Sequence, residues 1–157
     1  MTIYGVSLDD AHKLKKWGEK ENNPGRGWVM VNSEKLTPDA ITQAMMQGEF
    51  YSSSGVILEK LVRGKNAIEI SIDEDETACE LASEFLFGRP VRKGKPGTTI
   101  EFIGPEGEVL KTVQGSTAKC EAKGAYLRAK LTHRVKKEDG SLREYYAWTQ
   151  PVFTDGR

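Results

Sequence analysis

The chain has 157 residues, its 23 Lys and Arg are balanced by 23 Asp and Glu, and 38% of its positions are hydrophobic. That length suits one compact unit with its own core, and the charge balance removes the overall field that would draw it to nucleic acid or to an anionic membrane. No apolar run approaches the roughly 18–20 residues of a membrane span, and the start lacks the basic and apolar segments of a signal peptide, so the sequence assigns no compartment.

In chain order, "TIYGVSL" predicts a short strand over residues 3–8, and "DDAHKLKKWGEK" offers a helix start capped by Asp9 or Asp10. The Pro- and Gly-rich "ENNPGRGW" cuts that segment off, and "GWVMVN" has the β-branched, apolar character of a strand. A helix is predicted over 37–47, with Thr37 as cap, Pro38 at the first helical position and Gly48 as the stop. From Phe50 onward short β segments alternate with glycines and charges. Ile68, Ile70 and Ile72 alternate with Glu69 and Ser71, the period-two mark of one buried face. Further strands are predicted in "TTIEFIG", "EVLKTVQG", "TAKCEAK", "AYLRAKLTHRV" and "REYYAWTQPVF", with turns at "GPEG" and "KKEDGS".

Between these strands, Ala78, Leu81, Ala82, Phe85 and Leu86 recur at helical spacing and Thr77 with Glu80 has the capping-box pattern, which predicts an amphipathic helix over 77–87. The basic loop "GRPVRKGKPG" reads as a solvated connection able to meet an anion. Cys79 and Cys120 are too few for a disulfide scaffold and too far apart for a paired metal site, so both are expected as small buried apolar residues. The fold class is thus α+β and mainly β: an antiparallel β-sandwich over 55–157, preceded by a short α/β segment over 1–54.

Chemistry concentrates in "DDAH". Asp10 and His12 stand two positions apart, so at a strand's end both side chains reach one ion, and carboxylate oxygen with imidazole nitrogen suits zinc, iron or manganese. The plainer alternative is a capping Asp followed by a solvated His. Arg26 in the "NPGRGW" turn has the donor fork for a phosphate or sulfate, or else makes local contacts. Ser53, in "YSSSG", is a candidate hydrogen-bonding partner for a substrate, or part of an ordinary loop; no motif surrounds it that would make it a nucleophile. Tyr145, Tyr146 and Trp148 form the one aromatic cluster.

Taken together, "YGVSLDDAH", "PGRGWVMV", "GEFYSSSG" and the terminal "AWTQPVF" resemble the carboxyl-terminal portion of the PHP-type (polymerase and histidinol phosphatase) metal-dependent phosphoesterases, over nearly the whole chain. The resemblance implies that residues 1–54 correspond to the end of a distorted β/α barrel and that Asp10 and His12 match two ligands of its metal cluster. It implies a divalent zinc, iron or manganese cofactor and a small phosphate ester as substrate of the intact enzyme. Such a cluster needs more imidazoles than His12 and His133, so the resemblance implies the back part of a longer enzyme, inactive alone. Apolar segments at 3–8 and 28–31 deprived of a barrel would then favour a homo-oligomer, a dimer first. The reading from another class is a non-catalytic, immunoglobulin-like sandwich that binds a carbohydrate or a protein through its aromatic cluster.

Overall fold

Period-two alternation in the sequence becomes two antiparallel ladders in the computed structural model, which describes residues 2–154. The strands are β1 (Trp28–Val31), β2 (Phe50–Ser53), β3 (Leu58–Arg63), β4 (Ala67–Ile72), β5 (Arg89–Val91), β6 (Gly97–Ile103), β7 (Val109–Gln114), β8 (Thr117–Glu121), β9 (Tyr126–Lys136), β10 (Leu142–Thr149) and β11 (Val152–Phe153). Two α-helices, α1 (Pro38–Met46) and α2 (Glu74–Leu81), and a short 3-10 turn at Pro105–Gly107 complete the regular structure among the described residues.

The larger sheet runs β1-β2-β10-β9-β6-β7, with β5 beside the start of β10 and β11 beside the start of β9. The smaller runs β3-β4-β8. On β4 the three isoleucines are buried while Glu69 and Ser71 are not. They join Ile100, Phe102, Leu127, Leu131 and Tyr145 of the large sheet in one apolar cluster. Each such side chain withdrawn from water contributes about 1.5–3 kcal/mol, so the seam between the sheets is where the fold is held. The result is mainly β and sandwich-like, as expected. At Gly115 the chain crosses from β7 in the large sheet to β8 in the small one, with φ at 126°, a conformation that side-chain-bearing residues rarely adopt.

Helix α1 follows its punctuation: the Thr37 hydroxyl accepts the Ala40 N–H at 3.4 Å and Pro38 opens the first turn. Helix α2 corrects the expectation of 77–87. Asp73, not Thr77, caps it, accepting the Glu76 N–H at 2.9 Å, and the helix ends at Leu81. Thr77 is instead buried and its hydroxyl is spent on the backbone of Ile57. Residues 82–88 turn away, leaving Phe85 half exposed. The cysteines are corrected in part: Cys79 is exposed on α2, while Cys120 faces inward from β8 against the core but is only half-buried, because β8 lies at the edge of the small sheet.

Residues 3–8 are not a strand. They form an extended arm without a ladder, held by side chains: the Gln150 amide donates to the Gly5 carbonyl (2.7 Å) and accepts its N–H (3.0 Å), and the Ser52 hydroxyl donates to the same carbonyl (3.2 Å). The arm lies so close to β1 that a Cβ on Gly27 would stand 2.7 Å from the Ser7 hydroxyl and 3.1 Å from the Leu8 carbonyl oxygen. No helix follows at residues 10–20, which instead form bends. Since β2 pairs with β10 through Tyr51↔Thr149, the large sheet runs across position 54, where the sequence suggested a division. Among the described residues no helix is long and apolar enough to cross a membrane.

Candidate functional site

The "DDAH" segment sits on a loop built by one buried amide. Asn23 is fully buried; its Oδ1 accepts the Gly18 N–H (3.0 Å), and its Nδ2 donates to the carbonyls of Lys13 (2.6 Å) and Lys16 (2.9 Å). The backbone N–H groups of His12 and Lys13 both donate to the Asn22 carbonyl at 2.9 Å, and Asp9 accepts the Gly25 N–H at 2.7 Å. An asparagine whose hydrogen-bonding groups are matched in a dry interior fixes the loop more firmly than its irregular sequence suggests.

Within that loop Asp10 has φ at 50°, a left-handed conformation that Asp tolerates better than most residues. The strain brings its side chain beside His12, with Oδ1 3.8 Å from Nε2. His12 Nδ1 donates to the Asp10 carbonyl. A carbonyl can only accept, so in the neutral imidazole Nε2 carries the lone pair. Two electron-pair donors therefore face one another. Donors that each reach an ion at roughly 2.0–2.2 Å stand no more than about 4 Å apart, so 3.8 Å lies near the upper end of the span one ion can bridge. Both side chains are open to solvent, 63% for His12 and 82% for Asp10, and neither serves the core. Among the described residues no third His, Cys, Asp or Glu joins them in a ligand group.

Arg26 makes the local contacts. Its guanidinium donates to the carbonyls of Gly18 and Glu19 and to Asn23, and lies 4.9 Å from the Phe87 ring. Ser53 is fully buried, donating to the Val56 carbonyl (2.7 Å) and accepting the Gly55 N–H (3.0 Å), so it closes a turn. Neither lies with Asp10 and His12. His133 is half-buried on β9 and bonded to Thr98 at 2.7 Å.

The aromatic cluster divides by strand parity. Tyr145 faces the core, while Tyr146 and Trp148 stack on the outer face of the large sheet, with centroids 5.1 Å apart and planes 27° from parallel. Beside Tyr146, the Arg134 guanidinium donates to Glu144 at 2.7 Å. Burial pushes the Glu144 carboxyl up, but hydrogen bonds from Tyr146 and Arg134 outweigh it and hold it below the usual range. Burial and the bond to Glu144 both push the Tyr146 phenol up.

Sequence reasoning missed the end of this face. "REYYAWTQPVF" is two strands, not one: between the pairs Trp148↔Lys130 and Val152↔Leu127, four steps on one chain oppose three on the other. This bulge at Gln150 and Pro151 lets Trp148, Gln150 and Phe153 share a face with Tyr126 and Arg128 across the ladder. Pro151, which lacks an N–H to donate, was the available signal. Under the arm these residues line a cleft of about 660 Å³. Compared with protein-family models, curated proteins and solved structures, the chain finds no match.

Proposed function

We propose that this chain carries the last metal-ligand motif of a PHP-type metal-dependent phosphoesterase, with Asp10 and His12 each giving one donor to a zinc, iron or manganese ion. The observation that carries the reading is the pairing of His12 Nε2 with Asp10 Oδ1 at 3.8 Å on a loop pinned by Asn23. A divalent ion held there would activate water and stabilise charge on a phosphate ester. The chain's own part is to orient the imidazole: the Asp10 carbonyl holds the Nδ1 proton and so leaves Nε2 free. Two donors do not complete a catalytic cluster, so the isolated chain is inactive in this reading and contributes to a site completed by residues outside those described. Exposed Ile3, Leu8 and Leu14 fit a chain that self-associates, as a dimer first.

Zinc or manganese titration of the purified chain, followed by calorimetry, tests this. Asp10→Asn keeps the left-handed backbone tolerance and removes the charge; His12→Gln removes the imidazole. Each should weaken zinc binding at least about tenfold. Equal affinity in the wild type and the double variant overturns the proposal.

The stacked Tyr146 and Trp148 favour a second reading, an immunoglobulin-like module that binds a carbohydrate or a protein without catalysis. Glycan or partner binding unchanged in the Asp10 and His12 variants would speak for it.

A further inference from the structure

Along the outer face of β9, basic side chains recur and two of them have acidic partners. Lys130 meets Glu101 at 3.5 Å and Arg134 meets Glu144 at 2.7 Å. Arg128, two positions before Lys130 on the same face of β9, is half-buried and has no hydrogen-bond or ion-pair partner among the described residues. It lines the cleft under the arm, where no Asp or Glu stands among the described lining residues. A guanidinium partly withdrawn from water with its fork unused is poised for a carboxylate or a phosphate, whose paired oxygens match its donors.

The remaining walls say what else the ligand carries. Trp148 and Gln150 come from one side of the bulge, Tyr126 and Phe153 from the other, and Leu8 from the arm. The Gln150 amide is committed at both ends to Gly5, so it holds the wall in place and leaves the apolar surfaces to define the space. Tyr146, stacked on Trp148, fixes the indole beforehand. A space of about 660 Å³ is in the range of small-molecule sites and holds a body of one or two rings.

We propose that this cleft binds a small monoanion with a flat apolar body, its ring against Trp148 and its anionic group on Arg128. The site is separate from the Asp10 and His12 pair and does not depend on the metal reading. The bulge makes it: without the extra residue at Gln150 and Pro151, Phe153 would turn to the other face and the cleft would lose its far wall.

Calorimetry with 1-naphthoate as the probe, with 1-naphthalenemethanol as its neutral analogue and glucuronate as an anion on a polar ring, tests the assignment. Naphthoate should saturate one site, at least about tenfold more tightly than the neutral analogue, and Arg128→Gln should remove that margin. Arg128→Lys, which keeps the charge and loses the fork, should fall between. Trp148→Leu should weaken naphthoate and leave the preference for the anion. The proposal is overturned by no saturation up to about 10 mM, by equal affinities for naphthoate and its neutral analogue, or by glucuronate binding as tightly as naphthoate. The comparison of probes on the wild type decides the matter even where Arg128→Gln fails to fold.

Discussion

At the scale of single residues, the bulge that shapes the cleft also orphans a backbone donor. The Ala129 N–H lies in the core and has lost its ladder partner; the Thr149 hydroxyl accepts it at 2.9 Å. Thr149→Val keeps the shape and removes the acceptor, so it should cost about 1–3 kcal/mol, the penalty for an unsatisfied buried group. Urea unfolding measures this, and Thr149→Ser should recover most of the loss; a cost indistinguishable from zero would mean that the N–H finds another acceptor. His133 offers a second case. Burial holds its pKa below the ordinary 6.5, only partly opposed by the Glu74 carboxylate. A base whose folded pKa is lowered takes up its proton more readily when unfolded, so its contribution is intact above pH 6.5 and is lost as pH falls toward and through the folded value. Thermal midpoints should therefore drop from pH 7.5 to 5, and His133→Gln should flatten part of that slope. A variant with the full wild-type slope would assign the effect to other groups.

At the scale of elements, what the sequence reveals depends on where the deciding partner lies. Helix α1 was legible because Thr37 and Pro38 are its own residues, and β4 because its isoleucines alternate within six positions. Helix α2 was displaced because two capping patterns compete, and Asp73 wins while Thr77 is drawn inward to Ile57. The arm was illegible for a different reason: an apolar run is a strand only if another backbone pairs with it, and here the partner is a side-chain amide 145 positions away. Arg128 escaped notice likewise, since its isolation exists only once β9 and β10 are in register. Of the metal motif, sequence spacing suggested the pair, but the turn of Asp10 and the tautomer of His12 required the folded loop. The clamp itself makes a prediction. Gln150→Leu should release the arm, seen as lost hydrogen-exchange protection at Gly5 and faster proteolysis within residues 2–13, while amides in β9 stay protected. Unchanged protection at Gly5 would show that Ser52 and the Gly27 contact suffice.

At the scale of the molecule, the small sheet covers one face of the large one and leaves the other to a mixed lattice of charges and aromatics. Covering only one face keeps the core continuous and leaves the opposite surface open, where Arg128 lines a cleft that has no carboxylate among its described residues. The topology also closes late. β2 waits for β10, whose pairing residues lie almost a hundred positions downstream. At bacterial or eukaryotic elongation rates that interval is roughly 5–20 s. During synthesis one flank of β2 stays bare until β10 has emerged, so a nascent chain must be kept from the wrong neighbour throughout that interval.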